Sequence, residues 1–434
     1  MENLGHQLSI LGTDISEKYS LLGQGLGRTI QLGDLQRKSA MHIPGLNEAS
    51  WSAWWTAFLR GGQQTSLGGS HQILNAVDLF SSAGGLSLGL REAALALGFK
   101  FHSEAAVDLD GDALATYQAN FDVSQTVESS VKSLIDYRVE GLGDTAEFAY
   151  TPTTVSAFKH VSDVDIIVGG PPCQGHSSLN NHSRGNDVRN ELYLTMPALA
   201  VATNAKCVII ENVPRVVHDY GQVVDTAAQL FKNAGYFISS GVLTASDFGW
   251  PQSRSRHFMI ASRIKQPIDI DVIKSSLRQP AHDLRWLLGD IEDLPKSSDL
   301  LIDSIPNTTE VNARRINWLF DNDAYELVNS ERPVCHQDGH TYPSVYGRLR
   351  YDKISPTITT GFQSPGRGRY IHPTKRRVLT IREAARIQGF PDDFNYIAKD
   401  GKPAKRGNLH KWIGDAVPSI LGYVAGLVAL ETMI

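Results

Sequence analysis

From Ile73 onward the sequence alternates between short apolar runs and segments of helical length, and this rhythm limits the folds that the chain can adopt. Strand-like runs lie at 73–80, 101–107, 165–168 and 207–211, and helical patterns at 86–97, 112–121 and 223–233. Repeated strand, helix and strand units predict an α/β fold, a mostly parallel sheet with helices on both faces. Ligands of such sheets bind at the carboxyl ends of the strands, so we expect functional side chains just after each apolar run.

The remaining segments predict how the 434 residues divide into domains. Residues 1–70 lack a strong period and end in a Gly- and Ser-rich stretch of flexible-linker composition, which predicts an N-terminal extension of unknown role with one short aromatic helix at Trp51–Phe58. Residues 71–264 form the predicted main domain.

Beyond residue 264 the alternation stops. Residues 265–375 are rich in Pro, Asp and Ser and predict a smaller, irregular domain, with a strand candidate at Ser355–Thr360. Residues 376–434, with helical patterns at 381–388 and 417–431, are expected to link the domains and complete the first one.

Composition excludes several classes of protein. Three cysteines without a CxxC pair argue against a disulfide framework and a zinc site, and no metal is expected. No signal peptide or membrane-length apolar run is visible, so a reducing, cytoplasmic location is expected. The net charge of −5 argues against a uniformly basic surface, yet residues 348–377 carry eight basic residues and one acidic residue. This stripe is a candidate phosphate-binding surface, although a solvated loop is the simpler interpretation of a charge run.

A cysteine lies shortly after the third strand-like run, residues 165–168. The sequence Gly169-Gly170-Pro171-Pro172-Cys173-Gln174-Gly175 places Cys173 on a loop stiffened by two prolines, as covalent catalysis requires. A buried structural cysteine is the alternative, since free cysteines are among the most buried residues.

The first two strands end in a pattern typical of nucleoside binding. The turn Asp78–Gly85 contains two glycines, and Asp108 follows the next strand 23 residues after Gly85. Such a turn lets the backbone approach a ligand while the acid binds ribose hydroxyls. Because GxGxxG is absent, the pattern favours a cofactor without a pyrophosphate; tight helix packing also explains the glycines.

Later segments supply an acid and two arginines. Glu211 ends another strand, at the sheet edge expected for Cys173, and Arg254 and Arg256 follow in Gln252-Ser253-Arg254-Ser255-Arg256. Arginines of this spacing point to the same side of an extended chain and can orient a carboxylate or bind phosphate.

Together and in this order these segments resemble the DNA (cytosine-5)-methyltransferase family. The resemblance also includes Arg377–Asp392 and the run Ile413-Gly414-Asp415-Ala416-Val417-Pro418, and it extends from residue 73 to about 430. It implies a Rossmann-like methyltransferase domain that uses S-adenosylmethionine, joined to an irregular target-recognition domain. It also implies double-stranded DNA as the partner, a separately encoded restriction endonuclease as a possible second one, and a monomer near the nucleoid.

The resemblance implies catalytic roles for four residues. Cys173 adds to carbon 6 of a flipped cytosine, Glu211 holds ring nitrogen 3 and the amine, Arg254 binds the base carbonyl, and Arg256 supports the site or a phosphate. The other implied residues fall into two groups. Cofactor contacts are assigned to Asp78, Phe80, Ser81, Ala83, Gly84, Gly85, Asp108, Leu109, Pro171, Asp415 and Val417. DNA contacts are assigned to Gln174, Ser177, Gln252, Arg348, Arg350, Thr359, Arg367 and Arg369.

The chain departs from the family pattern at three positions. Ser82 replaces a glycine in the cofactor turn, where we expect it to tolerate an ordinary φ; Asp415 replaces asparagine, and Ser419 replaces proline. The family's acidic contact to adenine has no clear counterpart between Phe121 and Val161. Three alternatives stay open: an RNA cytosine-5 methyltransferase, a DNA-binding pseudoenzyme and, third, an oxidoreductase.

Overall fold

A seven-stranded sheet forms the centre of the protein in the computed structural model. The structure describes residues 15–23, 25–43, 48–67, 72–155, 158–159, 161, 164–172, 191–219, 221–291, 301–337 and 344–434. Its strands are β5 (Gln72–Leu79), β6 (Phe99–Asp108), β7 (Thr126–Glu128), β12 (Ile166–Gly169), β13 (Cys207–Asn212), β14 (Phe237–Thr244) and β15 (Ser255–Ser262). They lie side by side in the order β14-β15-β13-β12-β5-β6-β7.

Only β15 runs against the other strands of this sheet, so the predicted mostly parallel sheet is confirmed. The chain proceeds from β5 outward to β6 and β7 on one side, and from β12 to β13 on the other. The strand order therefore reverses between β5 and β12, which is where open α/β sheets form a crevice at their carboxyl edge.

Helices cover both faces of the sheet. They are α2 (Gly85–Ala96), α3 (Gly111–Asn120), α4 (Glu191–Ala202), α5 (Val223–Asn233), α6 (Ile270–Ser276), α9 (Ile381–Gln388), α10 (Arg406–Asp415) and α11 (Ser419–Glu431). The predicted helices at 86–97, 112–121, 223–233 and 381–388 are confirmed within one residue. The pattern at 417–431 corresponds to α11, whereas α4, α6 and α10 were not predicted.

Helix α2 crosses α11 at very close range. A Cβ on Gly89 would lie 2.2 Å from the carbonyl oxygen of Ser419 and 2.5 Å from the amide nitrogen of Tyr423. Only glycine permits this approach. The close packing on α11 holds α2, the helix that begins at the predicted cofactor turn, in position.

The described part of the N-terminal extension, within residues 15–67, has regular secondary structure and includes a strand in the stretch of linker-like composition. Strands β1 (Ile15–Leu22), β2 (Gly25–Leu32), β3 (Leu35–His42) and β4 (Gln64–Ser66) form an antiparallel sheet. The predicted aromatic helix is α1 (Trp51–Leu59), capped by the Ser50 hydroxyl. We call residues 15–67 the N-terminal module. Its buried side chains belong to the same hydrophobic core as those of α2 and α11.

The irregular lobe consists of residues 301–337 and 344–378. It contains helix α8 (Glu310–Asp321). This lobe has a small core of its own, formed by Ile316, Leu319, Leu327, Tyr346, Ile371 and Val378. The strand predicted at Ser355–Thr360 is absent; one isolated bridge joins Ser355 to Gln252. Helix α7 (Leu284–Leu288) lies before the lobe and packs in the main core. Residues 284–291, which include α7, are called the root of the irregular lobe. The rest of the chain is called the sheet lobe, apart from the N-terminal module.

Four short strands lie in the described part of the segment between β7 and β12. They pair as β8 (Ile135–Asp136) with β11 (Thr153–Thr154), and β9 (Val139–Glu140) with β10 (Glu147–Phe148). None of the described helices is by itself long and apolar enough to cross a membrane; α10 and α11 meet such a test together but are bent by 45°.

Candidate active site

A cavity of about 1100 Å³ opens at the carboxyl edge of the sheet. The ends of five parallel strands line it, together with the start of β15 and the junction between α10 and α11. Of the residues predicted to contact a cofactor, all but Gly84 line this cavity. The positions predicted from the sequence thus come together in space.

The turn after β5 follows a strained backbone path. Phe80, Ser82 and Gly84 have φ values of 58°, 46° and 90°. Gly84 is required, because a Cβ there would lie 2.4 Å from the Phe121 ring. The expectation that Ser82 has an ordinary φ is wrong: it adopts the left-handed conformation that favours the glycine it replaces.

Asp108 joins this turn to the next one. Its carboxylate accepts hydrogen bonds from the amides of Ser82, at 2.8 Å, and Asp110, at 2.9 Å. The hydroxyls of Ser81 and Ser82 are buried and have no hydrogen-bond partner among the described residues. Leu109 is 74% exposed and offers an apolar surface at the same rim. Unpaired polar atoms beside an exposed apolar side chain fit a ligand with both a flat ring and hydroxyl groups.

Asp78 lies beneath the turn in a buried hydrogen-bonded chain. The Ser87 hydroxyl donates to its carboxylate at 2.6 Å, and the Tyr117 hydroxyl lies 3.0 Å from Ser87 Oγ. Burial raises the pKa of Asp78 to about 7; the bond from Ser87 opposes this increase and the nearby Asp108 adds to it.

Glu211 and Arg256 form an ion pair at the cavity wall, with Arg256 Nε 2.7 Å from Glu211 Oε1. The sheet explains this contact, because β15 runs antiparallel to β13 and its beginning therefore lies beside the end of β13. Burial raises the pKa of Glu211, although Arg256 and Arg254 lower it in part. A buried carboxyl of this kind retains a proton more readily than an exposed one.

Arg254 donates hydrogen bonds to three backbone carbonyls. Its Nη1 donates to the carbonyls of Ile358, at 2.8 Å, and Gly414, at 3.1 Å, and its Nη2 donates to that of Asp415, at 3.0 Å. The side chain is 3% exposed. Arg254 thus joins the irregular lobe to the end of α10 at the edge of the cavity.

The loop that carries the thiol is attached through Asn212. Its Nδ2 donates to the Pro171 carbonyl at 3.1 Å. A Cβ on Gly170 would lie 2.9 Å from Glu211 Oε2, so this glycine lets the loop approach the acid. Pro172 lines the cavity. Cys173, Gln174 and Ser177 lie outside the described residues.

The residues predicted to contact DNA differ in their burial and in their hydrogen-bond partners. Gln252 is fully buried, and its Nε2 donates to Gln388 Oε1 at 3.0 Å, so it lies away from the surface. Arg348 donates to the Pro373 carbonyl, and Arg369 donates to the carbonyls of Tyr325 and Arg348 and pairs with Glu326. The basic stripe is therefore not a row of free cations.

Three of these residues remain open to a partner. Arg350 pairs with Asp352 but is 44% exposed, and Arg367 is exposed. The half-buried Thr359 hydroxyl lies 2.9 Å from the Tyr370 hydroxyl.

Several cavity residues were missed by sequence reasoning. Glu128 ends β7 in register with Asp108, followed by Ser129 and Ser130. Lys399 and Lys411 line the same rim and pair with Glu128 and Asp110. β7 has only three residues, too short for a periodic pattern to reveal its end.

Loss of surrounding water raises the pKa of Asp415, while Lys411, Arg254 and Arg256 lower it. The described residues contain no cluster of His, Cys, Asp or Glu suited to a metal ion.

Comparison with known proteins gives consistent matches. The family described as C-5 cytosine-specific DNA methylase matches residues 74–425. The chain is 34% identical to the type II methyltransferase M1.BsuMI of Bacillus subtilis over 97% of its own length and 94% of that protein. It is 29% identical to M1.HphI of Haemophilus parahaemolyticus over 82% of its length and 87% of that protein.

Solved structures agree with the fold. A protein assigned as a DNA modification methyltransferase, encoded within an E. coli prophage, aligns with a TM-score of 0.53 and 26% identity, covering 83% of this chain and 98% of that one. The Dnmt2 methyltransferase of S. pombe has the same TM-score at 17% identity, and covers 83% of this chain and 99% of its own. The latter similarity concerns the fold alone.

Proposed function

The chain belongs to the family of C-5 cytosine-specific DNA methylases, and from that premise we propose that it transfers a methyl group from S-adenosylmethionine to carbon 5 of a cytosine turned out of duplex DNA. The observation that carries the proposal is the buried Glu211–Arg256 pair, which opens into the same cavity as Asp108 and the Ser81–Ser82 turn. One cavity thus offers a base-binding acid and a nucleoside site.

The residues present fit the cofactor. The Asp108 carboxylate lies where it can accept from ribose hydroxyls, and Leu109 offers an apolar face for a flat ring. The Ser81 and Ser82 hydroxyls, which have no partner among the described residues, supply polar groups. When bound there, S-adenosylmethionine supplies the electrophilic methyl group. Asp415 and Val417 would line the opposite wall.

Glu211 and Arg256 would hold the target base. A protonated or proton-sharing Glu211 can donate to ring nitrogen 3 as negative charge develops there, and burial favours that form. Because Arg256 is paired with Glu211 while Arg254 donates to three carbonyls, we assign the base carbonyl contact to Arg256. Arg254 then acts as a positioning residue.

Cys173 would be the nucleophile, with its thiolate adding to carbon 6 so that carbon 5 becomes nucleophilic enough to take the methyl group. Loss of the carbon-5 proton and elimination then release the thiol. Support comes from Pro171, Gly170 and Asn212, which place the start of its loop beside Glu211. Turning the base out of the duplex costs a few kcal/mol, and contacts to the DNA must offset this cost.

The proposal is tested with labelled S-adenosylmethionine, unmethylated duplex DNA and transfer RNA. We expect label in the duplex only, a covalent complex with DNA containing 5-fluorocytosine, and loss of both in Cys173→Ala. Glu211→Gln should lower kcat by at least about 100-fold, the range for removal of an acid–base group. Label in RNA alone would establish the RNA enzyme, and an inactive wild-type chain would establish the pseudoenzyme.

Bisulfite sequencing of DNA from expressing cells then identifies the sequence context. A paired restriction endonuclease, a monomeric state and a location beside the nucleoid remain predictions. An extract that cleaves unmethylated but not methylated DNA would support the first.

A further inference from the structure

Helix α1 lies at the centre of an aromatic cluster between different parts of the molecule. The Trp51 ring lies 6.3 Å from Trp250, 5.3 Å from Trp286 and 5.4 Å from His282, on which it stacks. Trp55 meets both Trp250 and Tyr423 edge-on. We call Trp51, Trp55, Trp250, His282 and Trp286 the aromatic hub. Aromatic pairs of this kind contribute beyond their buried area.

The other side of the N-terminal module is anchored in the sheet lobe. Arg28 is fully buried, its Nη2 donates to Gln64 Oε1 at 2.6 Å, and its guanidinium lies over the rings of Trp54 and Tyr423. Because Tyr423 belongs to α11, the module is fixed to the helix pair that positions the cofactor turn. A buried charge held between rings and an amide makes this anchor costly to displace.

From this anchor, α1 reaches the root of the irregular lobe. Trp286 Nε1 donates to Thr56 Oγ1 at 3.0 Å, and Arg60 Nε donates to Asp290 Oδ2 at 2.9 Å. Helix α7, which carries Trp286, is in turn joined to the lobe, since the amides of Leu284 and Arg285 donate to the carbonyls of Lys353 and Tyr351.

The same region leads to the active site. Trp250 precedes Pro251, whose carbonyl accepts from the Ser355 amide at 2.8 Å, and Ser253 donates back to Ser355 at 2.9 Å. Three residues later Ile358 accepts from Arg254. Contacts of the hub therefore continue, through two backbone hydrogen bonds, to the arginine at the cavity edge.

We propose that the N-terminal module is an interlobe brace: α1 holds the root of the irregular lobe at a fixed angle to the sheet lobe, so that bound DNA meets the cavity in the productive orientation. Trp286 and Arg60 are its positioning residues. This inference rests on the proposed function, because it assigns DNA to the space between the lobes. A brace of this kind lowers the ordering cost of binding DNA and leaves the cofactor site unchanged.

The test compares full-length variants. Trp286→Phe removes the bond to Thr56, and Arg60→Met removes the pair with Asp290. Trp318→Phe, in the irregular lobe, and Lys38→Met, on an exposed position of β3, are the matched controls. The measurements are KM for unmethylated phage DNA, kcat, the Kd of S-adenosylhomocysteine, the melting temperature, and amide hydrogen exchange at residues 351–358.

We expect KM for DNA to rise about 2- to 10-fold in Trp286→Phe, as the loss of part of one aromatic pair predicts. Arg60→Met should raise it by up to about 5-fold, the upper range for an exposed ion pair. The Kd of S-adenosylhomocysteine should stay within about 2-fold, and exchange at 351–358 should quicken in both variants but in neither control.

Two results would overturn the brace. One is unchanged KM and exchange in both variants; the other is a parallel weakening of DNA and cofactor binding that follows the melting temperature, as a purely stabilising role would give. If the wild-type chain methylates no DNA, the proposed function fails separately, while hydrogen exchange still decides whether α1 restrains residues 351–358.

Discussion

At the scale of single residues, the ends and directions of the strands decide which side chains reach the cavity. Asp108 and Glu211 were identified by their positions after apolar runs, because parallel strands bring such ends to one edge. The left-handed φ of Ser82 could not be foreseen, since serine ordinarily avoids it. Nor could the partners of Arg254 and Arg256, because the direction of β15 decides which arginine reaches Glu211.

Ser82→Gly should stabilise the protein by about 0.5–1 kcal/mol, because glycine adopts the left-handed conformation without the penalty that serine incurs. The amide bond to Asp108 is retained. Urea unfolding monitored by circular dichroism measures the change. Ser81→Gly, at a neighbouring residue outside the left-handed region, should destabilise instead. Equal effects of the two substitutions would contradict the assignment of strain to Ser82.

Asp78→Asn should flatten the dependence of stability on pH. The pKa of Asp78 is about 7 in the folded protein against an ordinary value of 3.8, so folding favours its protonated form. That stabilisation is complete below about pH 4 and is lost as the pH rises to about 7. Free energies of unfolding at pH 5 and 8 should differ less in the variant than in the wild type. Asp271→Asn, at an exposed carboxyl, should retain the wild-type slope.

At the scale of elements, the four parallel strands β5, β6, β12 and β13 were predicted because both faces of the sheet are covered, which makes their apolar runs continuous. Strands β7, β14 and β15 were not predicted. The N-terminal strands were missed because β1 is mostly exposed and β2 contains the buried Arg28, so neither shows a clean apolar alternation. Helix α10 was missed because it buries only a few residues, namely Leu409, Trp412, Ile413 and Gly414.

Gly89→Ala should separate α2 from α11, since the added methyl would overlap the backbone of Ser419 and Tyr423. We expect a loss of about 1–3 kcal/mol, as overpacking in a core gives, and weaker binding of S-adenosylhomocysteine because α2 begins at the cofactor turn. Thermal unfolding and calorimetry measure both. Gly407→Ala, in open space near the start of α10, should instead gain about 0.5–1 kcal/mol. Unchanged cofactor affinity in Gly89→Ala would show that the crossing of α2 and α11 does not position the cofactor site.

At the scale of the whole molecule, the fold pairs charges that are distant in sequence. The basic stripe contains one acid within residues 348–377, yet Asp321, Asp323 and Glu326 come from outside that range and pair with its arginines. A count along the sequence could not reveal this. The same applies to the N-terminal module, whose role depends on contacts with residues about 200 to 400 positions away.

Removal of residues 1–71 should leave a chain that does not fold alone. Trp55, Phe58, Trp250 and Tyr423 share one core, and deleting the module would expose the last two to water. We expect residues 72–434 to be insoluble or aggregated, because large exposed apolar patches drive association. Expression, sedimentation and thermal unfolding measure this outcome. A monomeric fragment that melts within a few degrees of the full chain would show that the module is dispensable.

The aromatic hub also gives the protein an intrinsic fluorescent probe. Five of the seven tryptophans, Trp51, Trp54, Trp55, Trp250 and Trp286, lie in or beside α1 and its contacts. Emission from the unlabelled chain therefore originates mainly where the lobes meet. A shift in its wavelength or intensity on addition of DNA would report a change at this junction in real time, without an added fluorophore.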